Sequence, residues 1–158
     1  MSQKRRLVRE KVLQALYAHE YSKNAPDVVA DDVLTDLGKD KEQQAFARSL
    51  FLKTVESGKD LDALIKQKVE HWEFSRLAVI DKLILRMAIA EILYFEDIPP
   101  KVSINEAIEI ARDFSTDKSD KFVNGVLDSV LDDLKKNGKL NKAGRGLLDH
   151  SLKPKPSP

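Results

Sequence analysis

The sequence contains no cysteine. Disulfides, thiolate zinc sites and cysteine nucleophiles are therefore excluded, and the chain suits a reducing compartment without requiring one. Histidine is scarce. His19, His71 and His150 form no i,i+4 pair and no H-E-x-x-H frame, so metal-ligand spacing is absent at the local level. There is no Gly-rich phosphate loop and no G-x-S-x-G elbow. Long uncharged apolar runs are missing too. The most apolar stretch is interrupted by charges at Asp81, Lys82, Arg86 and Glu91, so it falls short of the roughly 18 uncharged residues that mark a membrane span. The N-terminus is charged and has no apolar signal segment. No cofactor, no metal and no membrane association are expected. The composition of 42% hydrophobic and 34% charged residues in 158 fits one soluble, helix-rich domain.

What is present centres on Leu77 to Phe95, LAVIDKLILRMAIAEILYF, in which fourteen of nineteen residues are apolar. It contains no Gly or Pro and ends against Pro99-Pro100, which cannot continue a helix. At about 100° per residue the apolar side chains cover most of the circumference, which describes a buried helix. Asp81, Lys82 and Arg86 fall in one sector and predict a narrow window on solvent or on a partner.

Around this central helix, expected over 76–96, the 3.6-residue period predicts six more. Helix one spans about Lys4 to Tyr21, with Val8, Val12, Ala15 and Leu16 inward. A short helix follows Asn24-Ala25-Pro26, with Asp27 as its cap, and ends at Gly38. The next spans 41–57. Another starts near Asp60, read as its cap, with Leu61, Leu64, Ile65, Val69 and Trp72 inward. Residues 71–75 read as a connection, and Ser75 as the cap of the central helix. Ser103-Ile104-Asn105-Glu106 has the pattern of a capping box, which accounts for Glu106 and opens a helix to Phe114. The last helix runs from about Asp120 to Lys136 and contains Gly125, for which close packing against a neighbouring helix is the expected reason. No alternating strand pattern appears, so the fold class is all-α, a compact bundle of about seven helices in one domain over 1–136. Residues 137–158 read as a basic, disordered tail.

The net charge of +1 hides an asymmetry. Residues 4–11 carry +4 and residues 135–158 carry +6, which leaves −9 for the body. Basic ends on an acidic body suggest nucleic-acid contact, or else solvated termini. Lys4, Arg5, Arg6 and Arg9 stand at the start of helix one, where the positive helix dipole disfavours them by about 0.3–1 kcal/mol each when well placed. Such a cluster suits an anion. At the other end, Lys121-Phe122 places a rim aromatic beside a cation, the pairing that stacks a base and meets a phosphate. The alternative is that Phe122 only covers the edge of the core. Gln14 and Tyr17 extend the polar side of helix one.

Arg5-Arg6-Leu7-Val8-Arg9-Glu10 with Gln14-Ala15-Leu16-Tyr17, then Asp81-Lys82 through Leu85-Arg86-Met87-Ala88, and above all IPPKVSINEAIEIARDFSTDKSDKFVNGVLD over Ile98–Asp128 resemble the NusB family of bacterial transcription antitermination factors. These segments cover a little under half the chain, in order and at suitable spacing. The resemblance implies two small helical subdomains, about 1–72 and 75–136. It implies a non-enzymatic protein that pairs with NusE, a small-subunit ribosomal protein, and binds boxA-type single-stranded RNA. It also implies action in the cytoplasm within the elongation complex of RNA polymerase and other Nus factors, supporting ribosomal RNA transcription. The implied RNA contacts are Arg5, Arg6, Arg9, Gln14, Tyr17, Lys121 and Phe122. The implied partner-facing residues are Asp81, Lys82 and Arg86. Some family members are dimers, which leaves a homodimer open. Two other readings stand beside this one: a detached RNA-binding accessory module of a ribosomal RNA-modifying enzyme, and a protein-only helical adaptor.

Overall fold

A computed structural model describes residues 2–35 and 37–148, and the side chains of residues 2, 3, 71, 72 and 148 lie outside that description. So do the expected inward position of Trp72, the third histidine His150 and the proline-rich end of the tail. The described chain forms eight α-helices: α1 Ser2–Ser22, α2 Pro26–Leu34, α3 Lys41–Glu56, α4 Gly58–Lys66, α5 His71–Arg76, α6 Val79–Tyr94, α7 Pro100–Phe114 and α8 Ser119–Lys136. A 3-10 turn, Gly144–Leu148, follows. No strand occurs among the described residues.

Helix α6 packs against α1, α3, α4, α7 and α8. Its sequence requires this: Leu83, Ile84, Leu85, Met87, Ile89 and Ile92 are all essentially inaccessible and point in every direction round the helix. Helices α1–α3 pack on one side of it and α7 pairs with α8 on the other. One continuous apolar core runs through both groups. Truncating one of these side chains to Ala costs about 2–5 kcal/mol.

Helix boundaries differ from the sequence reading where a polar side chain has a distant partner or a proline sets the start. Pro99 stands at the N-cap of α7 and Pro100 at its first position, a place where proline's fixed φ is already helical. The helix therefore opens three residues before Ser103, and the expected capping box does not form. Ser103 instead donates to Glu91 at 3.0 Å, and Glu106 accepts from Arg6. Ala25 and Pro26 open α2 in the same way, and Asp27 sits in the first turn rather than at the cap. Residues 71–75, expected as a connection, lie in a short helix that absorbs Ser75 and also takes Arg76 from the expected central helix, and Ala78 precedes α6 without a side-chain cap. Asp60 lies inside the first turn of α4, after Ser57. Asp40 does cap α3, accepting from the Gln43 backbone at 3.2 Å.

Two further expectations are corrected. Gly125 is exposed, and a Cβ there would meet nothing within 4 Å, so close helix packing does not explain it. Residues 138–148 fold back on the helical body rather than trailing from it. Gly138, at φ +66°, reverses the chain in a Schellman turn: Lys139 N–H donates to Leu134 O at 2.9 Å and Gly138 N–H to Lys135 O at 3.2 Å. The chain then returns to the C-terminal end of α6.

Candidate nucleic-acid interface

The N-terminal end of α1 has no acidic residue in its first turn. The structure meets its four cations with groups from other elements. Lys4 pairs with Asp40, and its hydrogen bond, with help from the Gln43 backbone, holds the Asp40 carboxyl below the usual range. The Arg5 guanidinium lies 3.9 Å over the Phe46 ring, with Glu42 at 3.6 Å. Arg6 donates to Glu106 at 2.6 and 3.3 Å, chiefly a hydrogen-bond effect that raises its already high pKa. Arg9 donates to Glu91 at 2.8 and 2.7 Å. Burial opposes the charge on Arg9, but the facing carboxylate outweighs it and the guanidinium pKa rises.

These geometries divide the expected contact set. Lys4, Arg5 and Arg6 keep exposed surface. Arg9 is 3% exposed: it is a core residue that fixes α1 against α6, and its guanidinium is held by Glu91. Further along α1, Gln14 is exposed and Tyr17 is 43% exposed, with its ring 4.8 Å from Tyr21. Leu13, Gln14, Tyr17, Ile80 and Phe114 line a mostly apolar cleft of about 280 Å³, of a size and character suited to a flat ring.

At the start of α8, Lys121 is exposed and Phe122 is half-buried on the edge of the core. Both line a groove of about 250 Å³ together with Lys68, Glu73 and the open position Gly125. Phe122 thus covers the core and presents an edge at the same time. The beginning of α6 touches both the Tyr17 cleft and the start of α8. Ile80 lines the cleft, while the next residue, Asp81, accepts hydrogen bonds from Ser115 at 2.6 Å and Ser119 at 3.1 Å, two residues before Lys121.

That arrangement corrects the expected solvent window on α6. Asp81 is 8% exposed and its carboxylate is occupied by the two serines. Arg86 donates to Asp62 at 2.7 and 2.9 Å and lies 3.6 Å from Glu20, tying α6 to α4 and α1. Lys82 sits 4.8 Å from the centre of the Phe74 ring and alone of the three reaches outward without a carboxylate partner among the described residues. A strip of charges that reads as a window is mostly a set of ties between helices.

The profile of the NusB family matches residues 6–132, most of the chain. The chain belongs to the NusB family. It is 47% identical to the transcription antitermination protein NusB of Chloroherpeton thalassium over 146 residues, 92% of this chain and 69% of that protein. A solved T. maritima NusB is 37% identical and superposes with a TM-score of 0.75, covering 81% of this chain and 90% of that one. A second solved relative, antitermination factors NusB and NusE in complex with double-stranded RNA, matches with a TM-score of 0.75 over 84% of this chain and 99% of that one. At 22% identity it establishes the shared fold.

Within this NusB-family chain, sequence reading passed over several residues that shape the face. Glu91 was one polar position among many until α7 and α1 brought Ser103 and Arg9 to it. Phe46, under Arg5, looks like any core aromatic in the sequence. Asp40 had a usable signal, since Asp40-Lys41-Glu42-Gln43 has the acid-x-x-Gln spacing of a helix start. Among the described residues no cluster of His, Asp and Glu has metal-binding geometry. No helix among them is long and apolar enough to cross a membrane.

Proposed function

We propose that the chain is a cytoplasmic RNA-binding antitermination factor that takes boxA-type single-stranded RNA across the start of α1 and the start of α8. The juxtaposition at the head of α6 supports this most: one turn of that helix borders the Tyr17 cleft and holds the α8 start through Asp81. Arg5 and Arg6 supply salt-dependent phosphate attraction. Tyr17 and Phe122 supply ring surfaces for unstacked bases, with Gln14 and Lys121 beside them. Arg9 positions α1 from within. In this reading NusE docks beside the α5–α6 junction, with Lys82 on its outer face and Asp81 and Arg86 holding the helices beneath. The complex then joins RNA polymerase and other Nus factors and supports ribosomal RNA transcription. The NusB–NusE–RNA assembly of the 22% identical relative motivates the choice of partners.

One observation favours a second reading, the protein-only adaptor: each of the four cations Lys4, Arg5, Arg6 and Arg9 faces a carboxylate of this same chain. Internal pairing weakens the field available to a polyanion. Binding of labelled boxA RNA, against a scrambled RNA and with or without NusE, separates the two.

A further inference from the structure

The segment after α8 is built into the molecule rather than trailing from it. Lys142 donates through Nζ to the Glu91 and Phe95 carbonyls at 3.2 and 2.8 Å, placing a cation where the α6 dipole is negative. Ala143 N–H donates to Glu96 O at 3.0 Å. Leu140 packs on the core. Two glycines then bracket one arginine. Gly144 has φ +55°, a conformation that other side chains resist. Gly146 is buried against Glu96, where a Cβ would stand 2.0 Å from the carbonyl oxygen. Gly-Arg-Gly here is a backbone arrangement that only glycine permits at both flanks, and it presents Arg145.

Arg145 is exposed and lines a cleft of about 390 Å³ whose wall includes Lys4, Arg5 and Arg9 of α1. The other cations of this wall are engaged: Lys4 by Asp40, Arg5 by Glu42 and Phe46, Arg9 by Glu91. Among the described residues Arg145 has no carboxylate within ion-pair distance, and Asp97, on the same wall, has no cation. The basic end of the chain thus delivers an unengaged guanidinium to the face on which α1 carries its arginines.

We propose that residues 139–148 are a fixed part of the RNA-binding face, with Arg145 contacting an RNA phosphate beside Arg5. This rests on the RNA-binding reading above and adds a residue outside the 6–132 family match. A planar guanidinium suits a phosphate because it donates two parallel hydrogen bonds. The cleft as a whole is balanced in charge, so the contribution is local. One phosphate contact to a single strand changes the slope of log affinity against log salt by about 0.7.

The test uses the full chain, with NusE present, and labelled boxA-type RNA over a salt series. Arg145→Ala is expected to lower the slope by about 0.7 and the affinity about five-fold at 0.1 M salt, with an unchanged Tm because the side chain has no ion-pair partner among the described residues. Arg145→Lys keeps the slope and loses part of the affinity. Asp97→Asn binds more tightly by removal of a repelling carboxylate. Gly146→Ala, which dislodges the segment, gives the Arg145→Ala phenotype, and the double variant shows no further loss. Wild-type binding that weakens with Arg5→Ala but not with Arg145→Ala overturns this inference and leaves the RNA reading standing. No binding of RNA by the wild-type complex overturns both.

Discussion

Arg9 and Glu91 lie 82 positions apart and meet in a two-bond fork at 2.8 and 2.7 Å, with exposures of 3% and 1%. The pair fastens the basic helix to the central one. Glu91 also accepts from Ser103, and its backbone carbonyl accepts from Lys142. One residue of α6 therefore gathers α1, α7 and the C-terminal segment.

A buried pair broken on one side leaves an uncompensated charge, at a cost of about 3–5 kcal/mol. Arg9→Ala and Glu91→Ala are each expected to destabilise by that amount in urea or thermal unfolding. The triple variant Arg9→Met/Glu91→Leu/Ser103→Ala should recover most of the loss, since it leaves neither an unpaired charge nor the Ser103 hydroxyl without its acceptor. A triple variant as unstable as either single one contradicts the assignment of the loss to an uncompensated buried charge.

Gly125 carries the opposite expectation. It is a helix-interior glycine in open space, so Gly125→Ala should stabilise the protein by about 0.5–1 kcal/mol through helix propensity alone. Thermal unfolding reads this directly. The added methyl enters the groove beside Lys121 and Phe122, so RNA affinity should fall or hold while stability rises. A loss of stability would mean that α8 is bent or packed differently at this point.

Glu10 gives a pH dependence whose sign can be worked out. Burial first, then the charge of Asp113, pushes its carboxyl above the ordinary value. A group whose folded pKa is raised binds its proton more tightly when folded. Its stabilising contribution is present in acid and is lost as pH rises through the folded value. Glu10→Gln should therefore raise Tm at pH 7 and give no gain at pH 3. Asp40 and Asp120 act the other way. Their carboxyls are lowered by hydrogen bonds from Lys4 and Arg112 respectively, so what they contribute is present above the ordinary carboxylate value and is lost as pH falls below it. A Glu10→Gln gain that is equal at both pH values contradicts this assignment.

The central helix was legible because an apolar circumference and a double proline are local facts that need no knowledge of the fold. Helix α8 was legible for the same reason, through Val123, Leu127, Val130 and Leu134. The polar residues were not. Ser103 and Glu106 match a capping pattern three residues apart, yet their partners Glu91 and Arg6 are supplied by other helices. Asp81 and Arg86 read as exposed because a sequence shows only that they share a sector, not that Ser115, Ser119 and Asp62 close it. Residues 137–148 read as a tail because basic, Gly-rich composition resembles disorder. Gly138, Gly144 and Gly146 are turn and contact glycines, and Lys142 donates to carbonyls at the end of α6. In the candidate site, Gln14, Tyr17 and Lys121 are exposed and Phe122 is half-buried at the core edge. Arg9 is buried, because its carboxylate comes from a helix 82 residues away.

In the proposed reading, the cations at the start of α1 and the rim aromatics Tyr17 and Phe122 take single-stranded RNA together with a protein partner. The most direct measurement is the affinity of the full chain for labelled boxA RNA and for a scrambled RNA of equal length, with and without NusE, over a salt series. Weak binding by the chain alone is expected, with tighter and sequence-selective binding when NusE is present, a shallower salt slope in Arg6→Ala and reduced sequence preference in Phe122→Ala. Equal affinity for both RNAs, unchanged by NusE, would contradict the proposed reading.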